Sequence, residues 1–165
     1  MNINWQAVFN AEIAWEAIPQ ILEGLPYTLS LSLIGFALGT FCGFFVALLR
    51  MSKITPLRWL AMLHISLMRG IPLMVLLFFI YFGLPFMGIQ LDAISASIIA
   101  FTSMSSAYIS EIIRASLSAI DKGQWEAAKS LGLRTNVIYR KIIIPQAFRI
   151  ALPPLSNVLL DMVKS

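Results

Sequence analysis

The feature that most constrains this chain is the length of its charge-free runs. Residues 24–49 contain no Asp, Glu, Lys or Arg, and a helix needs about 20 mainly apolar residues to cross about 30 Å of hydrocarbon. This run, which carries YTLSLSLIGFALGTFCGFFVALL from Tyr27 onward, is long enough to span with some tilt. Residues 70–91 are also charge-free, yet Gly83, Pro85 and Gly88 should end a helix early and leave 72–84 too short to span alone. The helix is therefore expected to start sooner, with Thr55 and Pro56 as cap and first-turn pair. PLRWLAMLHISLM then runs along or into the interface before a bend at 70–72, with Arg69 at the bend. Residues 93–110, between Asp92 and Glu111, form a third window rich in Ala and Ser, and such small side chains let helices approach closely. A fourth stretch, 150–160, is interrupted by Pro153 and Pro154 and reads as an unfinished span.

Composition agrees with a bilayer protein. Hydrophobic residues make up 59% of the 165 and charged residues 12%, against about 45–50% and about 25% in an ordinary soluble domain. The net charge of +4, from 12 Lys and Arg against 8 Asp and Glu, follows membrane topology rather than a nucleic-acid surface. Arg50, Lys53 and Arg58 follow the first span, only Asp92 separates the second and third, and seven Lys or Arg crowd the segment from Arg114 to Arg149. The positive-inside rule then places the N-terminus outside and the segment after the third span in the cytoplasm. The first 23 residues hold Glu12, Glu16 and Glu23 with no Lys or Arg, and they lack the basic start and small-residue cleavage site of a signal peptide. They read as an extracytoplasmic interfacial segment, with Trp5 and Trp15 suited to the headgroup level. The single cysteine, Cys42, cannot form an internal disulfide or a cysteine-based metal site. His64 has no metal constellation around it, and no cofactor is expected.

Gly35, Gly39 and Gly43 recur every four residues, presenting one face suited to close helix packing. That face is either a subunit interface or the ordinary glycine content of membrane helices. The segment after the third span has a pattern of helix, turn, helix. Residues 125–131 form a short helix with Gly132 as a left-handed stop, and residues 136–144 a second one ended by Pro145. A cytoplasmic loop of that length usually contacts something.

Within that loop stand Glu126-Ala127-Ala128, three residues, Gly132, nine residues and Ile142-Ile143-Ile144-Pro145. The spacing resembles the EAA loop of ATP-binding-cassette importer permeases, with Ile144 where the motif has leucine. KGQWEAAKSLGL (122–133), MRGIPL (68–73), LFFIYFGLP (77–85) and AYISEIIR (107–114) resemble the polar amino-acid subgroup, and the overall run is most similar to cystine-type permeases. The resemblance covers residues 24–165. It implies an all-α membrane protein with the type I importer transmembrane fold, of which about four of five expected spanning helices are present. The chain would divide into the segment 1–23 and a transmembrane domain 24–165 with a coupling loop at 115–149. The resemblance also implies that the family continues beyond Ser165, so the sequence looks like a fragment.

The function implied is that of a non-catalytic, multi-pass subunit of the bacterial inner membrane, importing a polar amino acid by alternating access. Its implied partners are a cytoplasmic ABC ATPase, an extracellular or periplasmic substrate-binding protein, a second permease copy and membrane lipid. The chain has no GxxxxGK[ST] loop, so ATP would be hydrolysed by the partner. Glu126, Ala127, Ala128, Gly132 and Pro145 are the coupling candidates, with small side chains for a close fit. Ser103, Ser106, Tyr108, Glu111 and Arg69 are the substrate-path candidates, since a polar zwitterion needs hydrogen-bonding groups at depth. For Arg69 the alternative is snorkelling to lipid phosphate, and for Glu111 an intrahelical pair with Arg114. The competing function is a self-contained channel or secondary transporter, which would call for paired ionisable groups at mid-membrane or inverted repeats. A membrane-embedded enzyme would need a nucleophile and base or a metal set, and one His and one Cys far apart do not supply it.

Overall fold

A computed structural model describes residues 11–164; Trp5 and the rest of residues 1–10 lie outside the described residues. Helix α1 covers Ala11–Arg50 and at 1.5 Å per residue is about 60 Å long. It runs through residues 23 and 24 without a break, with Pro19 and Pro26 inside it, so the described part of the segment 1–23 continues span one as the same helix. After a short link come α2 (Thr55–Gly70) and α3 (Leu73–Phe78). A π-helical turn at Phe79–Gly83 and a 3₁₀ turn at Leu84–Met87 follow, with Gly88 left-handed at φ 81°. The axes of Thr55–Gly70 and Leu73–Met87 differ by 106°, which is the bend expected at 70–72. Its cap differs from expectation: Ile54 holds the N-cap position and no side chain caps the helix, because Thr55 is already in the first turn.

Helix α4 (Ala93–Ser118) is N-capped by Asp92, whose carboxylate accepts from the backbone N–H groups of Ile94 and Ser95. The loop helices are α5 (Lys122–Ser130) and α6 (Thr135–Ile138), the latter passing through a π turn at Tyr139–Ile143 into α7 (Ile144–Lys164). Here two expectations are corrected. Pro145 does not end a helix, because the Ile144 N–H reaches back five residues to the Tyr139 carbonyl, and that wider turn makes room for the proline ring. Nor do Pro153 and Pro154 interrupt the last apolar stretch, for α7 passes through both. Helices α1, α4 and the 135–164 unit are each long and apolar enough to cross a membrane, and the bent pair is a fourth candidate crossing.

The glycine face also finds its partner within the chain rather than at a subunit interface. A Cβ on Gly35 would sit 2.5 Å from Phe101 Cβ, one on Gly39 would overlap the Ser105 hydroxyl, and one on Gly43 would lie 2.9 Å from the Ser106 carbonyl. Ser105 Oγ donates to Phe101 O at 2.6 Å and is 3.1 Å from Gly35 O across the seam. Ser32 and Ala47 extend this seam to both sides, both almost fully buried, and Ser32 Oγ donates to Met162 O at 3.0 Å. Thus α1 packs along α4 through this seam and meets α7 at Met162. The exposed face of α1, with Phe41, Phe44 and Phe45, matches hydrocarbon surroundings.

Candidate functional site

Two regions gather the expected residues. The first is the loop. Asp121 caps α5 by accepting from the Gly123 N–H at 2.6 Å. The other end is closed by a six-to-one bond from Leu133 N to Ala128 O at 3.2 Å and a bond from Gly132 N to Lys129 O at 2.9 Å. Gly132 has φ 69°, the left-handed conformation that this closure requires and glycine adopts without strain. Ala128 is 2% exposed and packs with Ile120, Ile138, Ile143 and Ala147, while Trp125 closes the cluster and meets the Tyr139 ring edge-on at 4.8 Å. A side chain larger than alanine at 128 would push α5 off α7. Glu126, Ala127 and Pro145 stay exposed, as does Leu131 at 78%. The three alanine and glutamate positions therefore divide: one anchors the loop from within and two face outward.

The second region is a chain of two cavities along α4. One, of about 160 Å³, lies between α4 and α7 and is lined by Met104, Ser105, Tyr108 and Asp161 among others. The other, of about 440 Å³, is more open and lies toward the loop, lined by Arg69, Tyr108, Glu111, Arg114, Ile150 and Pro154 among others. Tyr108 is common to both. Of the five path candidates, Tyr108, Glu111 and Arg69 come together here. Ser106 does not: it is 2% exposed, donates to Ser103 O at 2.7 Å and lies 2.9 Å from His64 Nε2. With the serine proton committed to that carbonyl, the imidazole N–H donates, so Ser106 ties α4 to α2 instead of facing the path. Ser103 contributes the accepting carbonyl.

Glu111 forms the intrahelical pair expected as one of its two readings. Arg114 Nε is 3.1 Å from both carboxylate oxygens and its Nη2 is 2.8 Å from one. Sequence reasoning missed that Arg50, the last residue of α1, also reaches this carboxylate at 3.5 Å. Residues 61 positions apart carry no local signal of pairing. Sequence reasoning also missed Asp161, although a carboxylate inside the apolar run of α7 met the same criterion that selected Arg69 and Glu111. Arg69 is exposed and its guanidinium carbon lies 5.4 Å from the Tyr108 ring centroid, a cation–π distance. Among the described residues no group of three or more His, Cys, Asp or Glu is placed to hold a metal.

Comparison with known proteins bears on the family and the fold. The family profile described as binding-protein-dependent transport system inner membrane component matches residues 39–165. The probable amino-acid ABC transporter permease protein YckA of Bacillus subtilis is 50% identical over 164 residues, covering 99% of this chain and 73% of that protein. The L-cystine transport system permease protein TcyB of the same species is 40% identical over 157 residues, covering 92% and 67%. A crystal structure of an amino acid ABC transporter with histidines superposes with a TM-score of 0.84 at 38% identity, covering 99% of this chain and 74% of that one. An inward-facing structure of the MetNI methionine ABC transporter, at TM-score 0.61 and 23% identity, shares the fold. A chain whose described residues form bent and straight helical membrane crossings, carrying a capped loop of this spacing, thus belongs to the family of binding-protein-dependent transport system inner membrane components, as an amino-acid ABC transporter permease.

Proposed function

We propose that the chain is the membrane-spanning subunit of an ATP-driven importer of a polar amino acid, with cystine the favoured substrate, working by alternating access. A cytoplasmic ABC ATPase seats on the loop at 115–149, a binding protein delivers substrate from outside, and a second permease copy completes the path. The N-terminus faces outward. Coupling is assigned to Glu126, Ala127, Ala128, Gly132 and Pro145, and the path to Tyr108, Glu111 and Arg69 with Asp161 and Ser105 added. Ser103 and Ser106 act as packing groups behind it.

One observation carries this reading. The loop presents Glu126, Ala127 and Leu131 outward from a short helix fixed at both ends and backed by Ala128 in an apolar cluster. A rigid, small-sided, apolar-tipped helix is suited to a groove in another protein. Cystine is favoured by the sequence run alone, since TcyB and the arginine transport system permease protein ArtQ of the same species are each 40% identical. The channel reading asks for ionisable pairs at mid-membrane. The Arg50, Glu111 and Arg114 set instead lies at the loop end of the helices, where Arg50 ends α1.

The test uses the permease with its ATPase and binding protein in proteoliposomes. Glu126→Lys places opposite charge on an exposed site and leaves the apolar cluster untouched; it should insert normally yet abolish substrate-stimulated ATP hydrolysis and uptake. Gly132→Asp should do the same by distorting the left-handed closure. Normal transport by Glu126→Lys with the ATPase bound would overturn the coupling assignment. Flux without ATP would support the channel instead.

A further inference from the structure

We infer that α2 is an in-plane membrane-surface helix that binds anionic phospholipid through Arg58 and Arg69, in the leaflet on the side of the 115–149 loop. Its orientation follows from its neighbours. The segment Leu73–Met87 packs on α4 through Leu76, Ile80, Ala96 and Ala100 and joins it across residues 88–92 alone, so the two run side by side. Since α2 is turned 106° from that segment, it lies across the membrane-crossing α4 and close to the bilayer plane. The segment Leu73–Met87 rises about 22 Å, and with α2 seated about 5–10 Å into the headgroup boundary the bent pair still bridges about 30 Å.

Three sides of α2 differ in chemistry. Ala61 and Ile65 are buried and His64 Nε2 is 2.9 Å from Ser106 Oγ, which fixes one side against the bundle. At about 100° per residue, Arg58 and Arg69 fall within about 20° of each other, and both are exposed. Leu60, Leu63 and Leu67, exposed as well, fall about 120–180° from the arginines. The buried side thus lies between a basic edge and an apolar edge, and exposed Trp59 stands opposite it, where an indole suits the headgroup level. The basic edge faces the loop end of α4, because Arg69 reaches beyond Ser106 to the Tyr108 ring. Phosphate on one side and hydrocarbon on the other match this segregation.

The charge is also of the right sign. No Asp or Glu occurs in α2. Arg50 and Arg114 both reach Glu111, and Arg69 acts on it from further off, so three cations share one anion and the region keeps a net positive charge for lipid phosphate. Arg58 and Arg69 stand about 16 Å apart along the axis, too far to share one phosphate, so the helix engages two headgroups.

The test uses the permease assembled with its ATPase in nanodiscs, carrying single cysteines along α2 in a Cys42→Ser background. Nitroxide depth at Trp59→Cys, Leu60→Cys, Leu63→Cys, Ser66→Cys and Leu67→Cys, read from oxygen against nickel-chelate collisions, should oscillate with the helical period, with positions 60 and 67 deepest and 66 shallowest. A steady change in depth from 59 to 67 would overturn the in-plane helix. A fluorophore on Leu63→Cys then reports the adjoining lipid: brominated phosphatidylglycerol should be preferred over brominated phosphatidylcholine about fivefold for each arginine. Arg58→Gln should lower the preference about fivefold, the double change with Arg69→Gln should remove most of it, and Arg58→Lys should retain it. Arg134→Gln, on the exposed loop, should leave it unchanged. A preference that survives the double change would overturn the lipid site. So would a label at 63 shielded from both lipids and broadened by a second nitroxide, because the face would then belong to another copy of the chain. These readouts use neither ATP nor amino acid, so they stand or fall apart from the transport assay.

Discussion

Replacing Gly39 by alanine should cost this protein far more than its single added methyl suggests. A Cβ at 39 overlaps the Ser105 hydroxyl and lies 2.7 Å from Ser105 Cβ and 3.3 Å from the Ser106 backbone nitrogen, whereas carbon atoms rest at about 3.5–4.0 Å. Helices α1 and α4 must part by about 1 Å at this point, and the seam cannot relax locally because Gly35 and Gly43 also leave no room for a Cβ against α4. Overpacking of this kind costs about 1–3 kcal/mol. Separation also stretches the Ser105 contact to Gly35 O, now 3.1 Å, which adds about 0.5–1.5 kcal/mol. The sum, about 1.5–4.5 kcal/mol, is at least about a tenfold change in the unfolding equilibrium. Gly24→Ala is the matched control: nothing lies within 4 Å of its added methyl, so helix propensity alone should stabilise it by up to about 1 kcal/mol. Reversible unfolding in mixed micelles, followed by helicity, gives both values. Ser105→Gly removes the overlapping atoms and should recover about 1 kcal/mol or more in the double variant. Equal stability of Gly39→Ala and Gly24→Ala, or strictly additive effects of Gly39→Ala and Ser105→Gly, would refute the internal seam.

Asp92 makes the cap of α4 sensitive to acid. The Ser95 hydroxyl, 2.6 Å away, and backbone N–H groups hold its carboxyl below its ordinary value, so the cap contributes stability above about pH 4 and loses it as pH falls through the folded value. Ser95→Ala should move the titration upward by carbon NMR, and an unchanged curve would sink the assignment. Topology is checked with a cysteine at Lys122 in a Cys42→Ser background: it should react with an impermeant maleimide only from the cytoplasmic side, and labelling in intact cells would invert the proposed orientation.

The break at Gly70 to Pro72 and the closure at Gly132 were both legible, because each rests on a backbone property of a named residue: the proline ring with its missing N–H, and the freedom of glycine at positive φ. The proline stops failed for the same reason in reverse. A missing N–H at 145 ends a helix only if the preceding turn keeps regular spacing, and a bond from Ile144 N to Tyr139 O gives that turn an extra residue. No periodicity in the sequence announces such a turn. The glycine stripe was visible as a packing face, but the stripe itself does not name its partner, and Phe101, Ser105 and Ile109 became visible as its counterpart only in three dimensions. The site shows the same division. Tyr108, Glu111 and Arg69 stood out by charge or polarity in apolar surroundings. The joining of Arg50 to Glu111 depends on helix register across 61 positions, which hydropathy does not encode.

The corrected path of the chain at Pro145 bears directly on how the loop and the cavities communicate. Had a helix ended there, the loop would be a hinged knob joined to the membrane by flexible chain. Instead Ile138 and Ile143, which hold Ala128 of α5, lie on the same continuous helical unit as Asp161 and Met162. From Ile144 to Asp161 the rise is about 26 Å, so a tilt imposed at the loop end is carried toward the Asp161 cavity by helix throughout, through Pro153 and Pro154. At its far end α7 is tied to α1, the Ser32 hydroxyl donating to the Met162 carbonyl, and α1 is locked to α4 through the glycine seam. The Arg50 contact to Glu111 fastens that pair again near the loop. The proposed cycle thus has two mechanical parts, the α1 and α4 pair as a frame and the 135–164 helix as a lever against it, and the Asp161 cavity opens between α4 of the frame and α7 of the lever.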